Sequence, residues 1–130
     1  MVHNAHLPDP ADYEWEFETV SDVGVWNLRG WQGFADEDLE AVSRHYRERA
    51  SEDDITASIA IFGSETNLPK ETQEYMGDEW SANGEYAGVD KIGFVSEGIT
   101  ALAVKSQVEV PGADVEKFKD VDAAIEWARN

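Results

Sequence analysis

Thr56-Ala57-Ser58-Ile59-Ala60-Ile61-Phe62 is an uncharged run of apolar and small residues. A run this short, without polar alternation, reads as a strand covered on both faces, and it predicts the centre of the sheet. Before it, residues 36–50 open on Asp36-Glu37-Asp38 and close among Arg44, Arg47 and Arg49. That charge order matches a helix dipole, and Leu39, Val42 and Tyr46 supply a buried stripe. After it, residues 68–83 set Leu68, Thr72, Tyr75, Met76 and Trp80 at helical spacing, with Pro69 in the first turn and Asn83-Gly84 as the stop.

Further out the same logic continues. Residues 14–20 alternate Trp15, Phe17 and Thr19 with glutamates, Ser21-Asp22 turns the chain, and residues 23–29 return as the second strand of a hairpin. Strands are expected over 89–95 and, after the Pro111-Gly112 break, over 113–118; helices are expected over 98–108 and 120–129. Asp120 is placed to cap the last helix, whose apolar face is Val121, Ala124, Ile125 and Ala128 with Trp127 beside it. The fold class is therefore α/β, a single mixed sheet of about five strands with four helices in the order β-β-α-β-α-β-α-β-α. Residues 1–12, with Pro8 and Pro10, read as a flexible leader before one domain over 13–130.

Composition narrows the setting. Hydrophobic residues make up 42% of the chain, and five Trp, five Phe and four Tyr can build a core. Against ten Lys and Arg stand 28 Asp and Glu, a formal charge of −18 spread along the whole chain. Such a coat repels itself in dilute buffer and is screened at about 1 M salt, where the Debye length falls to roughly 3 Å, so a salt-rich cytoplasm is the expected setting, the alternatives being a nucleic-acid mimic or a binder of basic partners. The melting temperature should accordingly rise between dilute buffer and molar KCl; an unchanged value would remove the halophilic reading. No basic stripe is present to displace counterions from nucleic acid, no apolar run reaches the length of a membrane span, and without cysteine there is neither disulfide nor thiolate chemistry.

Motifs for catalysis are missing as well: there is no Gly-x-Ser-x-Gly, no phosphate-cradling Gly-x-x-x-x-Gly-Lys and no paired-His metal helix. His3 and His6 fall in the leader and His45 is expected on a polar helix face, so no metal site and no cofactor are assigned. Acidic pairs such as Asp53-Asp54 are what a solvated acidic surface contains. The aromatic residues carry more information. Trp31, Phe34, Tyr75, Met76 and Trp80 are candidates for an apolar patch or pocket, formed where the loop after the second strand meets the helix after the central strand. The alternative is ordinary core. The functional expectation is a non-enzymatic binding or regulatory module for a protein partner or small apolar ligand, with a homodimer allowed; the alternatives are a small enzyme using carboxylates and His45, or a self-associating structural subunit.

The element order, and above all Asp90-Lys91-Ile92-Gly93-Phe94-Val95 through Gly112-Ala113-Asp114-Val115-Glu116-Lys117-Phe118-Lys119-Asp120-Val121-Asp122-Ala123-Ala124-Ile125-Glu126-Trp127, resembles the SpoIIAA-like branch of the STAS superfamily. That branch closes with a strand, an aromatic, a short acidic turn and a helix bearing Ala-x-x-Trp. The resemblance implies a compact α/β domain without its own catalytic centre, some relatives being phosphorylation-switched partners of regulators and others proposed to hold apolar ligands. In the switched relatives the acceptor follows the central strand, in Asp-Ser-Ser/Thr-Gly. Here the segment is Gly63-Ser64-Glu65-Thr66-Asn67, which offers Ser64 and Thr66 as candidate acceptors but lacks the Asp and the Gly. Turn and capping roles are the alternative for both.

Overall fold

The computed structural model describes residues 12, 13, 15–31, 36–63, 66 and 68–129. Its elements are β1 (Glu16–Val20), β2 (Val23–Leu28), α1 (Glu37–Ala50), β3 (Ala57–Phe62), α2 (Lys70–Ala87), β4 (Lys91–Val95), α3 (Thr100–Gln107), β5 (Asp114–Phe118) and α4 (Val121–Arg129). One five-stranded sheet runs β1-β2-β3-β4-β5, with β1 antiparallel to β2 and every other pair parallel. β3 is central and buried at every position, as its uncharged sequence requires. Except for Asp12, the leader expected over 1–12 lies outside the described residues.

Alternation along the central strands sorts their side chains onto two faces. Trp26, Leu28, Ala60, Phe62, Ile92 and Phe94 enter one core, with residues from α1, α2 and α3. Val23, Val25, Ala57, Ile59, Ile61 and Val95 enter a second, which α4 covers with Ala124 and Ala128 and flanks with Trp127. Three helices thus cover one face and a single nine-residue helix covers the other. Lys91 fixes that helix, its ammonium donating to the Trp127 carbonyl at 2.9 Å near the end of α4. At the other end Asp120 accepts from the Asp122 N–H at 3.2 Å.

Helix α1 starts as the sequence indicates, with the Asp36 carboxylate accepting from the Asp38 and Leu39 amides at 3.1 and 3.3 Å. The end of α2 does not. The helix continues through Asn83-Gly84 and stops at Gly88, whose φ of 73° makes it the left-handed cap. Tertiary packing overrides the local stop signal: Asn83 is buried and donates to the Ser43 carbonyl at 3.2 Å, while a Cβ on Gly84 would stand 2.9 Å from Val110. Gly84 is therefore a contact point between α2 and the segment after α3. Thr19 also departs from expectation, being exposed where Phe17 is half-buried; it pairs with Gly24 near the hairpin turn, at the sheet's edge. Among the described residues no helix is long and apolar enough to cross a membrane.

Candidate functional site

The aromatic candidates are core. Trp31 is 2% exposed, Met76 0% and Trp80 7%, and Tyr75 is half-buried against the same cluster. Trp80 lies among Tyr46, Phe62 and Phe94, with ring centroids 6.3, 6.3 and 6.1 Å away, and its indole N–H donates to the Ser43 hydroxyl at 2.6 Å. Trp31 and Trp80 do converge, since both pack on Phe62, but the surface between them is closed. The open apolar patch expected from Trp31, Tyr75, Met76 and Trp80 is not formed, because β3 and β4 present large rings on that face and α2 seats directly on them. Phe34 lies outside the described residues.

His45 is likewise corrected. Its ring is 5% exposed rather than set on a polar face, and it accepts the Trp26 indole N–H on Nδ1 at 2.9 Å. Trp15 and Phe17 enclose it edge-on, with centroids 5.1 and 4.8 Å away. Burial, and then the positive charge of Arg49, lower its pKa from 6.5 to about 4, which keeps the ring neutral near pH 7. His45 serves the core as the acceptor that a buried indole needs. Among the described residues no group of three His, Asp or Glu side chains is arranged to hold a metal.

Ser64 lies outside the described residues. Thr66 is 9% exposed and its hydroxyl is fully used: it accepts the Gly63 N–H at 3.0 Å and donates to the Trp31 carbonyl at 3.3 Å, while the Thr66 carbonyl accepts the Thr100 hydroxyl at 3.0 Å. A phosphoryl acceptor requires an accessible hydroxyl, and this one is sequestered as a tie between three segments. Gly63 belongs to the same tie, since a Cβ there would sit 2.9 Å from the Arg29 carbonyl.

Those ties shape the cleft that does exist. After β4 the chain turns to α3 on one face, and after the adjacent β5 it turns to α4 on the other. Connections diverging from neighbouring parallel strands leave a crevice at their carboxyl ends, the usual ligand position in open α/β sheets. Here it has a volume of about 980 Å³ and runs across four strand ends: Arg29 and Gly30 after β2, Phe62 and Gly63 at β3, Ser96 and Glu97 after β4, and Lys119 and Asp120 after β5. Trp31, Ile61, Val95 and Val121 add apolar lining, and Asp122 lies at the α4 start. The walls are held: Ser96 N–H donates to the Phe118 carbonyl at 3.1 Å, and the Ser96 hydroxyl accepts the Ala101 N–H at 2.9 Å and donates to the Gly98 carbonyl at 3.0 Å. Next to it, Ile99 is 80% and Leu102 49% exposed on the first turn of α3.

Of the sequence candidates, Trp31 and Thr66 line this crevice; Tyr75, Met76, Trp80 and His45 do not. Arg29, Glu97, Lys119 and Asp120 were missed as site residues, and their one sequence signal is position, each following a strand of the parallel sheet. No protein-family model matches the chain, and no curated protein or solved structure does. The crevice residues themselves carry the functional reading.

Proposed function

We propose that the chain is a non-enzymatic binding or regulatory module of a salt-rich cytoplasm, engaging a small ligand or a segment of a protein partner at the carboxyl-end crevice. The divergence of α3 and α4 from the adjacent strands β4 and β5 carries this reading, because it opens a large, rigidly tied cleft where the sheet's backbone ends converge. The exposed pair Ile99 and Leu102 beside it supports a partner that buries apolar surface at the same end. The resemblance of residues 90–127 to the SpoIIAA-like branch of the STAS superfamily agrees with a module lacking its own catalytic centre. An enzyme built on His45 has no support in the geometry, since that ring is sealed behind Trp15, Phe17 and Trp26, away from the crevice.

The test is native mass spectrometry of protein purified from its own host in high salt, beside the Glu97→Trp variant. Glu97 is exposed and loop-borne, so the indole fills the crevice without touching the core. A bound mass on the parent that is lost from the variant is the expected result. A bound mass unaffected by the variant would contradict it.

A further inference from the structure

We infer that Asn83 is a latent site of covalent modification: in the unfolded chain it closes with Gly84 to a succinimide and hydrolyses to aspartate or isoaspartate, and the product destabilises α2, so that time spent unfolded is recorded in the chain. Asn83 plays no part in the crevice. Of Asn4, Asn27, Asn67, Asn83 and Asn130, Asn83 alone precedes a glycine. A following glycine, lacking a side chain, lets the next backbone nitrogen approach the asparagine amide carbon most freely.

The Gly84 nitrogen attacks Asn83 Cγ and gives up its proton as the new C–N bond forms, and the former Nδ2 leaves as ammonia. Water then opens the succinimide ring. Addition at Cγ breaks the new bond and gives aspartate; addition at the main-chain carbonyl breaks the original peptide bond and gives isoaspartate. Water is the one co-reactant.

The fold blocks these steps. Asn83 and Gly84 are buried inside α2, where an interior N–H is held on the carbonyl four residues earlier, so the nucleophile is occupied. Ring closure also requires the Asn83 backbone to rotate out of its helical well. Asn83 is 3% exposed and its amide donates to the Ser43 carbonyl at 3.2 Å, so the reacting group is fixed and shielded from water. Packing keeps the susceptible pair in place: a Cβ at Gly84 would stand 2.9 Å from Val110 and 3.1 Å from Ile92, which disfavours any larger residue there.

Either product fits the fold poorly. Aspartate replaces the amide donor with a carboxylate facing the Ser43 carbonyl, acceptor against acceptor, at a buried position. Isoaspartate carries the main chain through Cβ, and the added methylene shifts the end of α2 out of register with Met76 and Trp80.

Peptide mapping by mass spectrometry tests this on the chain held in guanidinium chloride, beside the same chain folded in molar KCl at the same mildly alkaline pH and temperature. In the unfolded sample conversion at Asn83 should outpace that at Asn27 and Asn67. In the folded sample it should be slower by about a hundredfold or more, because a stable domain is unfolded for no more than about one part in a thousand of the time. The aged chain is then brought to the denaturant concentration at which half of the fresh chain is folded, and what survives a brief protease pulse is mapped. Converted Asn83 should be depleted among the survivors by about tenfold, the scale of one buried polar group left without its partner. Conversion at Asn83 no faster than at Asn27 and Asn67, a folded-state rate within that hundredfold of the unfolded one, or converted Asn83 no rarer among the survivors than in the whole sample would each overturn the assignment.

Discussion

Trp80→Ala should lower the unfolding free energy by about 4 kcal/mol, read from chemical denaturation in molar KCl. The indole is 7% exposed and stacks within 6.3 Å of Tyr46, Phe62 and Phe94, so truncation opens a void among rings that cannot collapse into it. It also leaves the buried Ser43 hydroxyl without the indole N–H it accepts. Trp80→Phe should recover most of the packing and lose chiefly the hydrogen bond, costing about 1 to 2 kcal/mol. These values discriminate between roles: a tryptophan on a ligand-facing surface would cost under about 1 kcal/mol on truncation and would alter binding instead.

Acid should destabilise the fold through His45, by up to about 3 kcal/mol between neutral pH and pH 4. The folded pKa, about 4, lies below the unfolded value of 6.5, so between them the unfolded chain holds the extra proton. Stability from this group is complete above pH 6.5 and declines as pH falls towards 4. The geometry gives the cause: protonating Nδ1 would set a second N–H against the Trp26 N–H at 2.9 Å, inside a cage of Trp15, Phe17 and Trp26. Arg49, one helical turn on, adds repulsion although it is bidentate with Asp54 at 2.8 and 2.9 Å. The readout is the difference between the parent and His45→Gln, whose amide oxygen can accept the indole N–H without titrating, because that difference isolates the imidazole from every other group. That difference should shrink as pH falls from 7 to about 4.5; a constant difference would show that His45 is already charged or exposed.

Much of the fold was legible because the strongest patterns in the sequence are also the ones the core uses. The charge-free run ending at Phe62 became the central strand, and the acidic start and basic end of α1 match its dipole. The end of α2 departs from the sequence pattern because Asn83-Gly84 is a stop signal locally, whereas the Ser43 carbonyl and the Val110 side chain reward continuation through it. His45 is polar by chemical type, yet its spacing of three from Val42 puts it on the buried stripe, and the need of Trp26 for an acceptor is visible only once β2 lies against α1.

The site was harder to see. Large apolar residues announce burial without saying whether the buried side faces a pocket; Met76 and Trp80 face the sheet, whereas Trp31 both packs on Phe62 and lines the crevice. Arg29, Glu97, Lys119 and Asp120 have no local signature in so charged a chain. They gather because α4 crosses to the face opposite α3, a property of the whole topology.

Hydrogen exchange of the protein with and without its co-purified ligand or partner, in molar KCl, tests the central claim most directly. Binding at the crevice should slow exchange at residues 29–31, 61–63, 95–97 and 119–122 while leaving the amides of the solvent-facing turns of α1 and α2 unchanged. Protection confined to α1 and α2, with the strand ends unaffected, would contradict it.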